Sequence, residues 1–172
     1  MTGREGYRVS VEKDYLVFAS AHFITFAGHR CEGLHGHNYR ARVTVEGALQ
    51  PGSWFVFDFV ELKRIMRTLC DEIDHLVLLP TQSERVSVRE EGDGDAARVV
   101  VSVDGVERYV FPRKDCALLP IPNTTVEMLA TLLAERALAQ VRAVGAQGLT
   151  ALELEVEENF GQSAVYRREF TA

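Results

Sequence analysis

Between residues 152 and 157, Leu152, Leu154 and Val156 alternate one for one with Glu153, Glu155 and Glu157. A period of two fits an extended strand with one face against a core and the other in water. Residues 39–46 repeat the pattern, with Tyr39, Ala41, Val43 and Val45 against Arg40, Arg42, Thr44 and Glu46. An apolar run over residues 14–23 and a resumption over residues 164–170, after the break at Glu158-Asn159-Phe160-Gly161, give each strand a neighbour. The chain therefore reads as two antiparallel pairs.

Two helices separate the pairs. Asp58 stands three residues before Glu61, as in a capping box, and Phe59, Leu62, Ile65, Met66, Leu69 and Ile73 follow at helical spacing, predicting a helix that ends near His75. A second is expected to start at Thr124, with Glu127 in the reciprocal position, and to run through Val126, Leu129, Ala130, Leu133, Leu138 and Val141 to about Gly145. Between them, residues 98–103 and 107–111 alternate around Asp104-Gly105, a strong turn signal, so residues 84–112 are expected to form an inserted surface β-hairpin. The sum is an α+β domain over residues 1–172, its helices on one face of a four-stranded antiparallel sheet.

Composition narrows the function. At 172 residues and 47% hydrophobic composition the chain can build a core, and it contains no apolar run long enough for a membrane span. Lys and Arg number 19 against 25 Asp and Glu, without a block of like charge, which leaves no footprint for nucleic acid. Residues 1–12 lack the apolar stretch of a secretory signal, and three scattered cysteines suit free thiols, so a cytoplasmic location is expected. Small molecules or protein partners remain.

Five histidines are present, and His35-Gly36-His37 leads into the second strand, where residues two apart project from one face. His22, near the end of the first strand, can lie across from them. Three neutral imidazoles suit Zn²⁺ and leave a fourth position open, as in a catalytic site, with Gly36 clearing access. Taken alone the His-x-His pair fits surface or core histidines equally. Cys31 follows His29-Arg30, a setting that favours thiolate, although a free cysteine is also a good buried hydrophobe. Cys70 and Cys116 read as inert. Asp74-His75 is either a tautomer-fixing pair or a helix-end group, and Glu158 is either a turn residue or a carboxylate directed into a pocket.

Ala21-His22-Phe23, the run from Cys31 through Gly33-Leu34-His35-Gly36-His37-Asn38-Tyr39, Phe57-Asp58-Phe59, Asp74-His75, and Glu158 with Ala164 and Tyr166 together resemble the 6-pyruvoyltetrahydropterin and 6-carboxytetrahydropterin synthase family. The resemblance implies zinc on His22, His35 and His37, and Cys31 as the catalytic thiol in a relay with Asp74 and His75. It implies Glu158 as the anchor of a pterin ring, and Thr125 as a substrate contact at the second helix start, where Thr124 replaces the usual proline. It further implies a tunnelling fold that closes by oligomerisation into a barrel, commonly a homohexamer of two trimers with active sites between subunits. The substrate would be 7,8-dihydroneopterin triphosphate. The spacing of Cys31 to His35 resembles the bacterial branch that makes 6-carboxytetrahydropterin for queuosine. Glu32 stands where a related branch uses glutamate to release 6-hydroxymethyl-dihydropterin; its other reading is a solvated side chain.

Overall fold

The computed structural model describes residues 6–28 and 30–170, so His29 and its charge beside Cys31 lie outside the described residues. In chain order the elements are β1 (Tyr7–His22), β2 (His35–Gly47), α1 (Phe59–Asp71), β3 (Val77–Pro80), β4 (Val86–Glu91), β5 (Arg98–Val103), β6 (Val106–Pro112), β7 (Cys116–Leu119), α2 (Val126–Ala143), β8 (Leu149–Asn159) and β9 (Gln162–Glu169).

The two antiparallel pairs form as expected, β1 with β2 and β8 with β9, and β2 joins β8 between them. The sheet is nevertheless six-stranded, in the order β7-β3-β1-β2-β8-β9, because β3 and β7 add parallel strands at one side. The expected count of four missed them because each is a four-residue apolar run with no alternation to mark it. Cys116, read as inert, is a buried residue of β7. The insert is also larger than a hairpin. Asp104 and Gly105 make the β5–β6 turn with φ of 50° and 81°, while β4 pairs with the other edge of β5 to give a separate three-stranded sheet. β1 starts seven residues before the expected boundary, at Tyr7 rather than residue 14, because a register shift between Glu12 and Val17 breaks its alternation.

Both helices lie on one face of the large sheet. Leu62, Ile65, Met66 and Leu69 of α1 and Leu129, Leu133, Ala137 and Val141 of α2 share one core with Phe18, Val43 and Leu154. Their caps differ from the expected boxes. Asp58 accepts from the Val60 amide at 2.7 Å, but Glu61 turns forward to Arg64 instead of back to the cap. Thr125, one residue later than expected, caps α2 by accepting from the Met128 amide. The sheet's other face carries cross-strand ion pairs such as Arg8–Glu153 and Arg167–Glu46. A smaller apolar cluster of Phe23, Leu79, Val99, Val101 and Cys116 joins the insert to the sheet, with Cys31 and Tyr109 packed at its margin.

Candidate metal centre

Side-chain alternation builds the site. In β2 the odd-numbered Tyr39, Ala41, Val43 and Val45 are buried, and in β8 the even-numbered Leu152, Leu154 and Val156 are. The same alternation sends His35, His37 and Glu158 to that face at its far end. His22 follows Leu16, Phe18 and Ser20 on β1 and pairs directly with His35 in the β1–β2 register. One ligand atom from each of His22, His35, His37 and Glu158 lies within 4.8 Å of the others.

Hydrogen bonds to the backbone orient two of the rings. His22 is fully buried, and its Nδ1 lies 2.8 Å from the Thr124 carbonyl oxygen; His35 Nδ1 lies 2.9 Å from that of Gly33. A ring that donates Nδ1–H to a carbonyl presents a lone pair at Nε2, the form a metal takes. Burial holds the His22 imidazole below its ordinary value against the opposing pull of the Thr124 carbonyl and Glu158, which keeps the ring neutral. The Nε2 atoms of His22 and His37 are buried without a hydrogen bond, although Glu158 Oε1 lies 3.6 and 2.9 Å from them. Lone pairs and a carboxylate oxygen crowded together this way call for a cation between them, and a nitrogen-rich set with one carboxylate fits zinc or a similar divalent ion. The Tyr39 hydroxyl is also buried without a partner among the described residues, its ring 5.6 Å from His37 and 5.9 Å from His22.

Gly36 has a packing role. A Cβ there would lie 3.2 Å from the Ser20 carbonyl oxygen, so its role is close approach of β2 to β1.

Cys31 and Glu32 sit on the loop from β1 to β2, closed by a single bridge between Thr25 and Cys31. Glu32 Oε2 is 3.9 Å from His35 Nε2. The half-buried Cys31 thiol instead donates to the Glu32 carbonyl at 3.4 Å and packs against the smaller apolar cluster. Burial pushes the Cys70 thiol up to about 12 and that of Cys116 up to about 11, so neither is thiolate at neutral pH.

Asp74 and His75 do not close the first helix; they occupy the turn between α1 and β3. Asp74 accepts from the Ala19 amide at 2.7 Å and approaches His75 Nδ1 at 2.9 Å. Burial works to raise the Asp74 carboxyl, but these bonds outweigh it and hold it below the usual carboxylate range. The His75 side chain is 82% exposed, with a backbone φ of 58°. It borders a shallow concavity with Ala19, Ala21, Gly36 and Asn38, and His37 of the cluster lines the same concavity. The chain thus brings His22, His35, His37, Glu158 and Glu32 together, and the Asp74–His75 turn borders a concavity that His37 also lines. Thr125 stands beside the cluster through its neighbour Thr124, with its hydroxyl engaged as a cap. Thr124 is a residue whose role sequence reasoning missed: its hydroxyl donates to the Phe23 carbonyl and its own carbonyl orients His22.

A family model described as 6-pyruvoyl tetrahydropterin synthase matches residues 10–169. A relative in Methanocaldococcus jannaschii, named as a putative 6-carboxy-5,6,7,8-tetrahydropterin synthase, is 34% identical over 155 residues, covering 89% of this chain and 90% of that protein. A dihydroneopterin monophosphate aldolase of Pyrococcus furiosus is 36% identical over 58 residues, 34% of this chain and 47% of its own. The crystal structure of a 6-pyruvoyl tetrahydropterin synthase from Plasmodium vivax superposes with a TM-score of 0.83 at 28% identity, covering 97% of this chain and all of that one. A variant of the same Plasmodium protein, with a glutamate described as a catalytic residue replaced by alanine, superposes with a TM-score of 0.82 at 28% identity and 97% and 100% coverage.

Proposed function

Because the chain belongs to the 6-pyruvoyl tetrahydropterin synthase family, we propose that it is a zinc-dependent lyase that converts 7,8-dihydroneopterin triphosphate and water to 6-carboxytetrahydropterin, acetaldehyde and triphosphate. The observation that carries this reading is the convergence of His22, His35, His37 and Glu158, with two buried imidazole nitrogens that have no hydrogen bond. His22, His35 and His37 would hold the zinc, with His22 aimed by Thr124 and His35 by Gly33. Bound there, zinc would supply a Lewis acid that lowers the pKa of a substrate hydroxyl and steadies developing negative charge.

The chain's own residues then divide the proton work. Cys31 Sγ serves as the thiol that takes or gives a proton at the substrate side chain. His75, held by the ionised Asp74, does the same from the other side. Its exposure beside that concavity supports a site completed between subunits, where the dyad serves a neighbouring chain's pocket. β9 pairs only with β8 among the described strands, and residues 7–12 of β1 pair only with β2. These open edges support a barrel continued across chains; a homohexamer of two trimers in the cytoplasm is the assembly proposed. Thr125 would border the substrate at the start of α2.

Glu158 is assigned to the pterin ring, whose paired N–H donors match a carboxylate's two oxygens. Three imidazoles suffice for the metal, so Glu158→Gln is expected to retain stoichiometric zinc while KM rises about tenfold or more. Loss of zinc in that variant would instead make Glu158 a metal ligand.

A second reading is favoured by Glu32, whose carboxylate lies 3.9 Å from His35 Nε2. In it, Glu32 acts as the acid/base and the side chain is cleaved to 6-hydroxymethyl-dihydropterin. Product identification from dihydroneopterin triphosphate, with zinc measured on the same sample, separates the two. Acetaldehyde with carboxytetrahydropterin supports the first reading, and a hydroxymethyl product supports the second. The pyruvoyl product would contradict both, and bound but unconverted substrate would leave a pterin-binding protein.

A further inference from the structure

We propose that the inserted β4-β5-β6 sheet is a clamp that fixes the backbone of the Cys31–Glu32 loop and thereby sets which of the two side chains faces the histidine cluster. Arg85, just before β4, donates from Nη1 to the carbonyl oxygens of Phe26 and Arg30. Its Nε and Nη2 hold the Asp104 carboxylate of the β5–β6 turn at 2.8 and 2.6 Å. Arg108 Nη2 donates to the Glu32 carbonyl at 3.1 Å. The Tyr109 hydroxyl accepts from the Leu34 amide at 3.3 Å, while its ring packs 5.5 Å from Phe23.

Four backbone groups of one short loop are thus bonded by side chains more than fifty residues away in sequence. The loop itself contributes little order. Among the described residues its own backbone bonds are Phe26 to Arg30 and Glu32 to Ile24, beside the Thr25–Cys31 bridge. Neighbouring residues of an extended segment project to opposite sides, and here Cys31 faces the apolar cluster while Glu32 faces His35. Rotation of the peptides that Arg85 and Arg108 hold would change that assignment. Arg85, Arg108 and Tyr109 are positioning residues, and they act through the loop.

The activity arm of the test rests on the pterin-lyase reading; the exchange arm does not. In the full-length zinc-loaded protein, Tyr109→Phe keeps the ring and removes the hydroxyl, and the Leu34 amide is expected to exchange hydrogen about tenfold faster. Arg108→Met is expected to lower kcat about ten- to hundredfold with KM and zinc content unchanged, and to alter the ratio of pterin products. Arg108→Lys, which can still donate to the Glu32 carbonyl, should recover much of the loss. Arg89→Ala, at the far end of β4, should change neither readout. Unchanged Leu34 exchange in Tyr109→Phe would overturn the clamp, as would a raised KM with unchanged kcat in Arg108→Met. Absence of turnover by the unaltered protein would overturn the pterin reading, leaving exchange at Leu34 to decide the clamp.

Discussion

His37→Ala is expected to abolish stoichiometric zinc binding and to lower turnover of dihydroneopterin triphosphate by about a thousandfold or more. The expectation follows from the position of the ring. His37 supplies one of two buried Nε2 atoms that lack a hydrogen bond, and Glu158 Oε1 stands 2.9 Å away. Its removal leaves two imidazoles, one nitrogen short of the three-histidine set proposed to hold the metal. The ring lies at the end of β2 outside the main apolar core, so the variant should retain the far-ultraviolet circular dichroism of the parent. Atomic absorption after dialysis, with activity measured on the same sample, checks the result. Full zinc occupancy in His37→Ala would remove that residue from the site.

The second large effect distinguishes the two members of the loop. Cys31→Ala is expected to keep its zinc and to lose 6-carboxytetrahydropterin formation by about a hundredfold to ten-thousandfold, the range for removal of a proton-transferring group. Glu32→Gln is expected to spare that product and to suppress any hydroxymethyl product by a similar factor. Opposite projection of the two side chains makes the outcomes separable. The Glu32 carboxylate lies 3.9 Å from His35, whereas the Cys31 thiol is turned to its neighbour's carbonyl and the apolar cluster. If Cys31→Ala retains full carboxypterin synthesis and Glu32→Gln abolishes it, the carboxylate rather than the thiol is the proton-transfer group.

The geometry that gathers the histidine–glutamate cluster is legible in the sequence because it is a matter of parity. Leu152, Leu154 and Val156 announce a buried face of β8, and Glu158 continues it by the same step of two. Tyr39, Ala41 and Val43 do the same for β2, which fixes His35 and His37 on the face that packs against the helices. What stayed hidden has no periodicity. β3 and β7 are four residues each and wholly apolar, and nothing local says that they run parallel beside β1. The Thr124 carbonyl that orients His22 is a backbone group 102 residues away from it, which no residue type can signal. Capping was legible in kind but not in register: Thr124 and Thr125 are both competent caps, and only the bonds of Thr124 to Phe23 and His22 leave Thr125 for the helix. The turn at Asp104-Gly105 was plain, yet its use was not, since Arg85 and Arg108 reach a loop that the sequence places far from them.

Anomalous diffraction from zinc-soaked crystals at the zinc edge tests the central claim most directly. A single strong peak is expected at about 2.0–2.1 Å from nitrogen atoms of His22, His35 and His37, with no sulfur ligand. A peak bound to Cys31, or none between the three rings, would contradict the account.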